Sequence, residues 1–340
     1  MGFFGKNKIA LDLGSSKTIV YINRKGIALK ELSLLAVNQN KPNDLVFGTK
    51  AFELQGKTSL EYKLVQPIIQ GRIHNYNYAK QMVAYFIKAA IRQIGSRPEV
   101  AIALPSSLSQ VDQKAYENLL RDIGISRAMI IDAPFAAALG ANLPVYDPKG
   151  FLLVDIGAGL IDVALISYGE IIASYNSNFG SQALNELIVS RVRDEHHLLI
   201  SQDTAEKLKH DLGNAALTDS DKEVNLLVSG NELSTGLPTE LKISIELVAK
   251  CVDQWVEQLV LSIRNVLRFA PPELAGDILQ TGIVLTGGGA QLKRLPERLF
   301  QALAIPTNLA PNPVDAVILG TGKLLRSMDK ESKAAEVSHR

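Results

Sequence analysis

The chain has 340 residues, 46% of them apolar and 21% charged, and its 36 basic and 35 acidic residues leave a formal charge of +1. At about 150 residues per domain this is enough for two domains with real cores, while the balanced charge argues against an avid nucleic-acid binder and against a charge-rich disordered chain. A single cysteine, Cys251, excludes an internal disulfide and any multi-cysteine zinc or iron–sulfur site, and it fits a reducing cytoplasm.

Other absences narrow the chemistry. No run of about 18 or more apolar residues suggests a transmembrane helix. The start, Met1 to Lys8, lacks the apolar core of a secretory signal. The five histidines, His74, His196, His197, His210 and His339, show no zinc-ligand spacing, and there is no GxSxG elbow. Serine or cysteine hydrolase chemistry is not indicated.

Strand and helix signals alternate along the chain. Ile9–Leu13 reads as a strand ended by Gly14, and Thr18–Ile22 as its hairpin partner before a turn at Asn23 to Gly26. Ile27–Val37 continues in strand character, and 38–69 is turn-rich. Tyr78–Ile94 has helical spacing. Val100–Leu104 reads as a buried strand, Gln113–Ile123 as a helix, Ala128–Ile131 as a strand and Pro134–Gly140 as a small-residue helix. The pattern then restarts. Phe151–Ile156, Asp162–Ser167 and Glu170–Tyr175 read as strands, and Ala183–Asp194 and Thr204–Leu212 as helices. Glu223–Leu227 and Thr239–Ile243 read as strands, and Ile245–Phe269 as a long amphipathic helix. Ile283–Leu285 is a strand running into Gly287-Gly288-Gly289, with a helix expected from near Gln291. The tail from Met328 is polar and expected to fray.

The informative feature is an internal echo. Asp12-Leu-Gly14-Ser15-Ser16-Lys17 and Asp155-Ile-Gly157-Ala158-Gly159 each follow an apolar strand and precede a second one. This repetition suggests a duplicated α/β domain with a cleft between the copies. Glycine at a hairpin tip lets backbone N–H groups approach a phosphate. Asp12 and Asp155, at the strand ends, suit a hydrated Mg2+ that uses few carboxylates plus phosphate oxygens. Gly287, Gly288 and Gly289 would admit a flat ring or ribose. Taken singly, each glycine turn also reads as an ordinary loop; taken together they point to a nucleotide.

These three motifs resemble the two phosphate motifs and the adenosine motif of the superfamily that holds actin, heat-shock chaperones and sugar kinases. Within it the chain is similar to the MreB family of bacterial actins. Supporting stretches include Pro105-Ser106, Pro134 to Ala141, Thr204 to Lys209, Thr235-Gly-Leu-Pro238 and Leu319-Gly-Thr-Gly322. The resemblance implies an actin-like ATPase fold: α/β, with two duplicated RNase H-like domains carrying small insertions around a central nucleotide cleft. It places 1–30, 70–150 and 316–330 in the first half with an insertion at 31–69. It places 151–183 and 247–315 in the second half with an insertion at 184–246, and leaves 331–340 as a flexible tail. Two small-residue helices, near 134–141 and 314–325, would cross at a hinge.

The resemblance also assigns residues. Gly14, Ser15, Ser16, Lys17, Gly157, Ala158 and Gly159 would bind phosphates, with Asp12 and Asp155 near Mg2+ through water. Glu206 and Lys209 would flank adenine and ribose with Gly287, Gly288 and Gly289, although Asp203-Thr-Ala-Glu206 also reads as a capping box. Asp112 aligns with the family's water-activating glutamate. Lys17 stands where the family has asparagine, as a phosphate clamp or a solvated strand-edge lysine. Leu160 and Ile161 replace two threonines of the second phosphate motif. Together with the shorter Asp112 they imply slow ATP hydrolysis or none, unless backbone amides dominate; at most a weak ATPase is expected.

MreB proteins form filaments on the inner face of the cytoplasmic membrane. Here Phe3 and Phe4, before Lys6 and Lys8, either supply a membrane anchor or pack on their own domain. The loop from Ile94 to Arg97 carries one large apolar residue and offers little to a bilayer. The leading expectation is an ATP-binding, self-polymerising cell-shape protein, peripheral at the cytoplasmic membrane, that organises peptidoglycan synthesis. Its partners would be copies of itself, the membrane surface, and transmembrane cell-shape and cell-wall synthesis proteins, with no nucleic acid. The alternatives are a nucleotide-binding scaffold or regulator and, without any separate sugar motif to support it, a small-molecule kinase.

Overall fold

In a computed structural model of the chain, residues 7–55, 61–95, 98–218, 221 and 224–338 are described, with side chains as far as Ser327. The chain divides into two compact units, 1–145 with 314–340, and 146–313.

Unit 1 opens with β1 (Lys8–Leu13), β2 (Lys17–Ile22) and β3 (Gly26–Leu32), followed by β4 (Leu35–Asn38), β5 (Leu45–Phe47), α1 (Thr49–Phe52) and β6 (Tyr62–Val65). It continues through β7 (Ile68–Ile69), β8 (Arg72–Ile73), α2 (Tyr76–Ile94), β9 (Glu99–Leu104), α3 (Gln110–Asp122), β10 (Ala128–Asp132) and α4 (Ala133–Gly140). The helix ends follow local chemistry. Asn75 caps α2 by accepting the Tyr78 N–H, and Gly95 ends it in the left-handed region at φ 72°. β1, β2, β9 and helices α2 and α3 enclose one core, which includes Ile9, Leu11, Met82, Phe86, Ile102 and Leu119.

Unit 2 runs β11 (Phe151–Ile156), β12 (Ile161–Ser167), β13 (Glu170–Ser177), α5 (Ser181–His196), β14 (Leu198–Leu199) and α6 (Gln202–Leu212). Then come β15 (Asn225–Glu232), β16 (Pro238–Ser244), α7 (Ile245–Leu267), α8 (Pro272–Thr281), β17 (Ile283–Thr286), α9 (Leu295–Leu303) and β18 (Thr307–Leu309). The last helix, α10 (Ala316–Ser338), returns to unit 1.

The echo read from two short motifs extends through both main sheets. Unit 1 has the order β3-β2-β1-β9-β10 and unit 2 the order β13-β12-β11-β17-β18. In each, the first strand pairs antiparallel with the second and parallel with the fourth. The registers match as well: Asp12 lies opposite Ile19, and Asp155 opposite Asp162. Both second strands carry a bulge against the third, at Val20/Tyr21 and at Leu165/Ile166. Two three-stranded sheets, β5-β4-β6 and β14-β15-β16, lie in the segments read as insertions.

Several expectations change in detail. The strand expected over Ile27–Val37 breaks at Ser33 and Leu34, where the chain leaves the main sheet for β4. Glu223, expected to begin a strand, lies outside the described residues, and β15 starts at Asn225. No α-helix starts at Gln291: a 3-10 turn spans Gly288–Gln291, and α9 begins at Leu295 after Arg294 takes a left-handed φ of 57°. The tail expected to fray from Met328 continues as helix to Ser338.

α4 and α10 pack closely within unit 1. A Cβ on Gly140 would lie 1.8 Å from the Ala316 carbonyl oxygen, and one on Gly320 would lie 1.7 Å from that of Ala136. Only hydrogen fits at these two crossing points. Lys323 donates to the Leu139 carbonyl and to Asn142 Oδ1, both at 2.6 Å, and ties the same two helices.

Candidate nucleotide site

In unit 1 the β1–β2 turn holds Gly14, Ser15, Ser16 and Lys17. The turn is tight, because a Cβ on Gly14 would sit 3.0 Å from the Lys17 carbonyl oxygen. The Ser33 N–H donates to the Ser16 carbonyl at 2.9 Å, and the Thr18 and Ser33 hydroxyls share a buried 2.8 Å hydrogen bond. The tip is therefore anchored from behind while Lys17 stays exposed. Asp12 is half-buried, between Ile19 on β2 and Ala103 on β9.

Asp112 sits at the start of α3 in a reciprocal capping box. Its N–H donates to Ser109 Oγ at 3.1 Å, and its Oδ2 accepts the Ser109 hydroxyl at 2.7 Å and the Ser109 N–H at 3.3 Å. Arg72 Nε lies 3.9 Å from the same oxygen. Oδ2 is thus committed to the helix terminus.

In unit 2 the β11–β12 turn repeats the geometry. A Cβ on Gly157 would lie 3.2 Å from the Leu160 carbonyl oxygen, and the Gly157 N–H donates to that carbonyl at 2.9 Å. The two threonine-replacing residues differ in placement. Leu160 is half-buried at the turn, whereas Ile161 is fully buried in the core of unit 2. A hydroxyl at 161 would point into apolar packing, so of the two replaced threonines only the one at 160 lies at the turn surface.

Asp155 pairs in register with Thr286 of β17, whose hydroxyl donates to Asp155 Oδ1 at 2.7 Å. Burial pushes the Asp155 carboxyl up to about 6, and the Thr286 hydrogen bond opposes that rise.

Ser181, which opens α5, joins three elements, and sequence reasoning missed it. Its N–H donates to the Gly157 carbonyl, and the next amide, of Gln182, donates to Ala158, both at 2.9 Å. Its own carbonyl accepts Lys209 Nζ from α6 at 3.3 Å. Its Cβ lies 3.2 Å from where a Cβ on Gly289 would be. The β11–β12 turn, the α6 face and the glycine loop therefore meet at one residue. Gly180 permits this, since a Cβ there would collide with the Ala158 carbonyl at 2.4 Å. Trp255, buried on α7, fixes it by donating Nε1 to the carbonyls of Phe179 and Gly180, each at 3.1 Å. The signal in the sequence was Gly180 just ahead of the helix, and its meaning depended on contacts from α7 far along the chain.

Glu206 and Lys209 share a face of α6 and form an ion pair at 2.7 Å. Glu206 Oε2 also accepts from Asn185 Nδ2 of α5 at 2.6 Å. Burial tends to raise the Glu206 carboxyl, but the Lys209 and Asn185 hydrogen bonds outweigh it and hold the group below its ordinary value. The capping-box alternative for Glu206 does not hold. Ser201 caps α6 by accepting the Thr204 N–H at 3.1 Å, and Glu206 lies beyond the first turn. Asn185, which orients Glu206, was not anticipated.

The glycine loop shows two kinds of glycine. Gly287 and Gly289 are required by packing: a Cβ on Gly287 (φ 83°) would lie 2.3 Å from the Ile156 carbonyl, and one on Gly289 would lie 2.4 Å from Ile156 Cγ2. Gly288 is exposed, and apart from its own stretch of chain no atom lies within 4 Å of the place its Cβ would take. Nothing in the chain itself demands a glycine there, whereas a planar ligand stacked on the loop would.

Comparison with known proteins identifies the family. A family model described as MreB/Mbl protein matches residues 6–333. The chain belongs to the MreB/Mbl family. The cell shape-determining protein Mbl of Bacillus subtilis (strain 168) is 31% identical over 326 residues, covering 96% of this chain and 97% of Mbl. MreB of Escherichia coli (strain K12) is 32% identical over 329 residues, covering 95% and 94%. The solved structure of MreB5 of Spiroplasma citri bound to ADP superposes with a TM-score of 0.91 at 28% identity, covering 97% of this chain and 99% of that one. The same protein bound to AMPPNP gives 0.90. The fold is therefore the actin-like fold of the MreB/Mbl family. Phe3 and Phe4 lie outside the described residues, and among the described residues no helix is long and apolar enough to cross a membrane.

Proposed function

We propose that this chain binds ATP with Mg2+ and polymerises with copies of itself into filaments at the cytoplasmic membrane that help set cell shape. The observation that carries the reading is the meeting of phosphate turn, α6 face and glycine loop at Ser181, beside a Gly288 that the protein's own packing does not require. The ADP- and AMPPNP-bound structures of the related MreB5 support nucleotide binding, and the names of Mbl and MreB support a role in cell shape.

In this reading the turns at Gly14–Lys17 and Gly157–Gly159 present backbone N–H groups to phosphate oxygens. Glu206, Lys209 and Gly287–Gly289 hold the nucleoside. Asp12 and Asp155 face the cation through water. The donor set fits magnesium: among the described residues no group of three acidic, histidine or cysteine side chains forms a metal cage, and magnesium bound to phosphates needs only one or two carboxylates. Asp155, half-buried with one oxygen already satisfied by Thr286, has its second oxygen for a metal-bound water. When bound, the cation neutralises phosphate charge.

Hydrolysis is slow in this reading. Leu160 offers no hydroxyl at the turn, and Asp112 has one oxygen engaged in its capping box. Displacements near 1 Å of a positioning group cost about 10²-fold in rate. Electron microscopy of the full chain on anionic lipid, with single-turnover phosphate release from the same samples, tests the proposal. Filaments that need ATP are expected, with phosphate release far slower than their assembly. Absence of filaments with ATP and Mg2+ refutes self-assembly, and phosphate release as fast as that of E. coli MreB refutes slow hydrolysis.

A further inference from the structure

The segment after α6 and the segment after the glycine loop are stitched together by a hydrogen-bonded cluster centred on Asp221. α6, which carries Glu206 and Lys209, ends at Gly213. A Cβ on Gly213 would lie 2.2 Å from the Lys209 carbonyl and 2.9 Å from Leu292 Cδ1. Asn214 then bridges to Lys293, and the Ala215 N–H donates to the Lys293 carbonyl at 2.9 Å. On the other strand of this seam, the Leu292 N–H returns to the Gly289 carbonyl at 3.2 Å. Two elements far apart in sequence are joined within a few residues of the groups proposed to touch the nucleoside.

Asp221 closes the seam. Its Oδ2 accepts the Thr218 N–H at 2.9 Å, the Thr218 hydroxyl at 2.7 Å, Arg294 Nη1 at 3.0 Å and Asn214 Nδ2 at 3.3 Å. Lys293 Nζ lies 3.8 Å from Oδ1. The same Arg294 nitrogen donates to the Ala216 carbonyl at 2.8 Å. The Asp221 side chain is only 13% exposed. Arg294 itself stands at φ 57°, a conformation an arginine seldom adopts unless its surroundings hold it there. Charge-assisted hydrogen bonds of this kind are stronger and more directional than neutral ones. The Thr218 hydrogen bonds, with Arg294 and Lys293 adding charge, hold the Asp221 carboxyl below its ordinary value.

We infer that Asp221 and Arg294 are a positioning pair: they set the spacing between the Glu206/Lys209 face of α6 and the Gly287–Gly289 loop, and so determine affinity for the nucleoside part of the nucleotide and not for its phosphates. The inference rests on the adenosine reading of those two elements. It goes beyond that reading because Asp221 and Arg294 lie outside the residues assigned to the ligand. Loss of a cluster that served only to hold the unit together would lower stability and weaken every ligand alike. A positioning pair acts on the nucleoside selectively, because the β11–β12 turn has hydrogen bonds of its own, from the Gly157 N–H to Leu160 and from the Ser181 and Gln182 N–H groups to Gly157 and Ala158.

The test uses the full chain, with Mg2+, and two probes: ATP, and inorganic tripolyphosphate, which lacks the nucleoside. Calorimetry is run on the unmodified protein and on Asp221→Ala, Arg294→Gln, the double variant and Glu206→Ala. Asp221→Asn is added because it keeps an acceptor for Thr218 while removing the charge that faces Arg294, so it carries the test if the alanine variant does not fold. Asp221 and Arg294 variants are expected to bind ATP about tenfold or more weakly, with tripolyphosphate affinity within about twofold. The double variant is expected to be no worse than the weaker single, since the pair acts as one unit. Parallel loss of both probes, or unchanged ATP affinity, overturns the inference while leaving the adenosine reading in place. If Glu206→Ala also leaves ATP affinity unchanged, the adenosine reading itself fails and the inference with it.

Discussion

Burying a carboxylate without a cation destabilises its charged form, and Asp155 shows the consequence. Its pKa rises from the ordinary 3.8 to about 6 because burial outweighs the Thr286 hydrogen bond. A raised acid pKa means that the folded state holds the proton more tightly than the unfolded chain. The stabilising contribution is complete below about pH 4 and is lost as pH climbs to about 6, leaving a constant penalty above that. Asp155→Asn keeps an acceptor for Thr286 and removes the charge. In the absence of nucleotide and Mg2+ it is expected to be more stable than the parent at pH 7.5 by about 1–3 kcal/mol, and equal to it near pH 4. Denaturant titrations at the two pH values measure this, and a variant less stable than the parent at pH 7.5 contradicts the burial. The residue scale is also where the sequence was most misleading. Glu206 had two readings from its neighbours alone, and only the Ser201 cap removes the capping-box one. Ile161 looked like a lost phosphate ligand because one-dimensional alignment does not show that the position faces the core.

At the scale of elements, α4 and α10 carry the tightest contact described. The sequence Ala136-Ala-Ala-Leu-Gly140 and the glycines at 320 and 322 made close approach legible, because only residues without bulk allow it. Gly320→Ala places a methyl group 1.7 Å from the Ala136 carbonyl, and neither helix backbone can yield without moving β1, on which α10 also packs. A loss of about 3 kcal/mol or more in unfolding free energy is expected. Gly276→Ala, on α8 with nothing within 4 Å, serves as the control and should be neutral or slightly stabilising. Equal melting temperatures for the two variants would remove the crossing from the list of structural determinants. Strands and long helices were readable by period, and so was the echo at Asp12 and Asp155. The 3-10 turn after Gly287 was not, since three glycines specify permissiveness and no particular conformation. The Asp221 cluster was invisible for a different reason: its partners lie about seventy residues apart, and each residue reads locally as loop.

For the whole molecule, the duplication is the organising fact. Two sheets of identical order and matching register explain why 340 residues with almost no net charge make two related units. A net charge of +1 leaves little long-range repulsion between copies, which suits self-assembly. With that charge, the proposed attraction to an anionic membrane is a local one. Phe3 and Phe4, with Lys6 and Lys8 close by, are the proposed source. Replacing both phenylalanines with alanine is expected to reduce co-sedimentation with anionic liposomes by about tenfold or more, since two buried rings supply about 3–6 kcal/mol before opposing terms. Unchanged co-sedimentation assigns membrane contact elsewhere or removes it.

The central claim is that unit 2 holds the nucleoside of ATP against the glycine loop, and Gly288 tests it most directly. Its missing side chain has open space around it, so Gly288→Ala should leave the melting temperature within about 2 °C of the parent. A ligand stacked on the loop would meet that methyl group. Calorimetric titration of both proteins with ATP and Mg2+ should show saturable binding to the parent and an affinity at least about tenfold lower for the variant, consistent with the cost of displacing a bound group by about 1 Å. Equal affinity for the two proteins, or no ATP binding to the parent, would contradict the assignment.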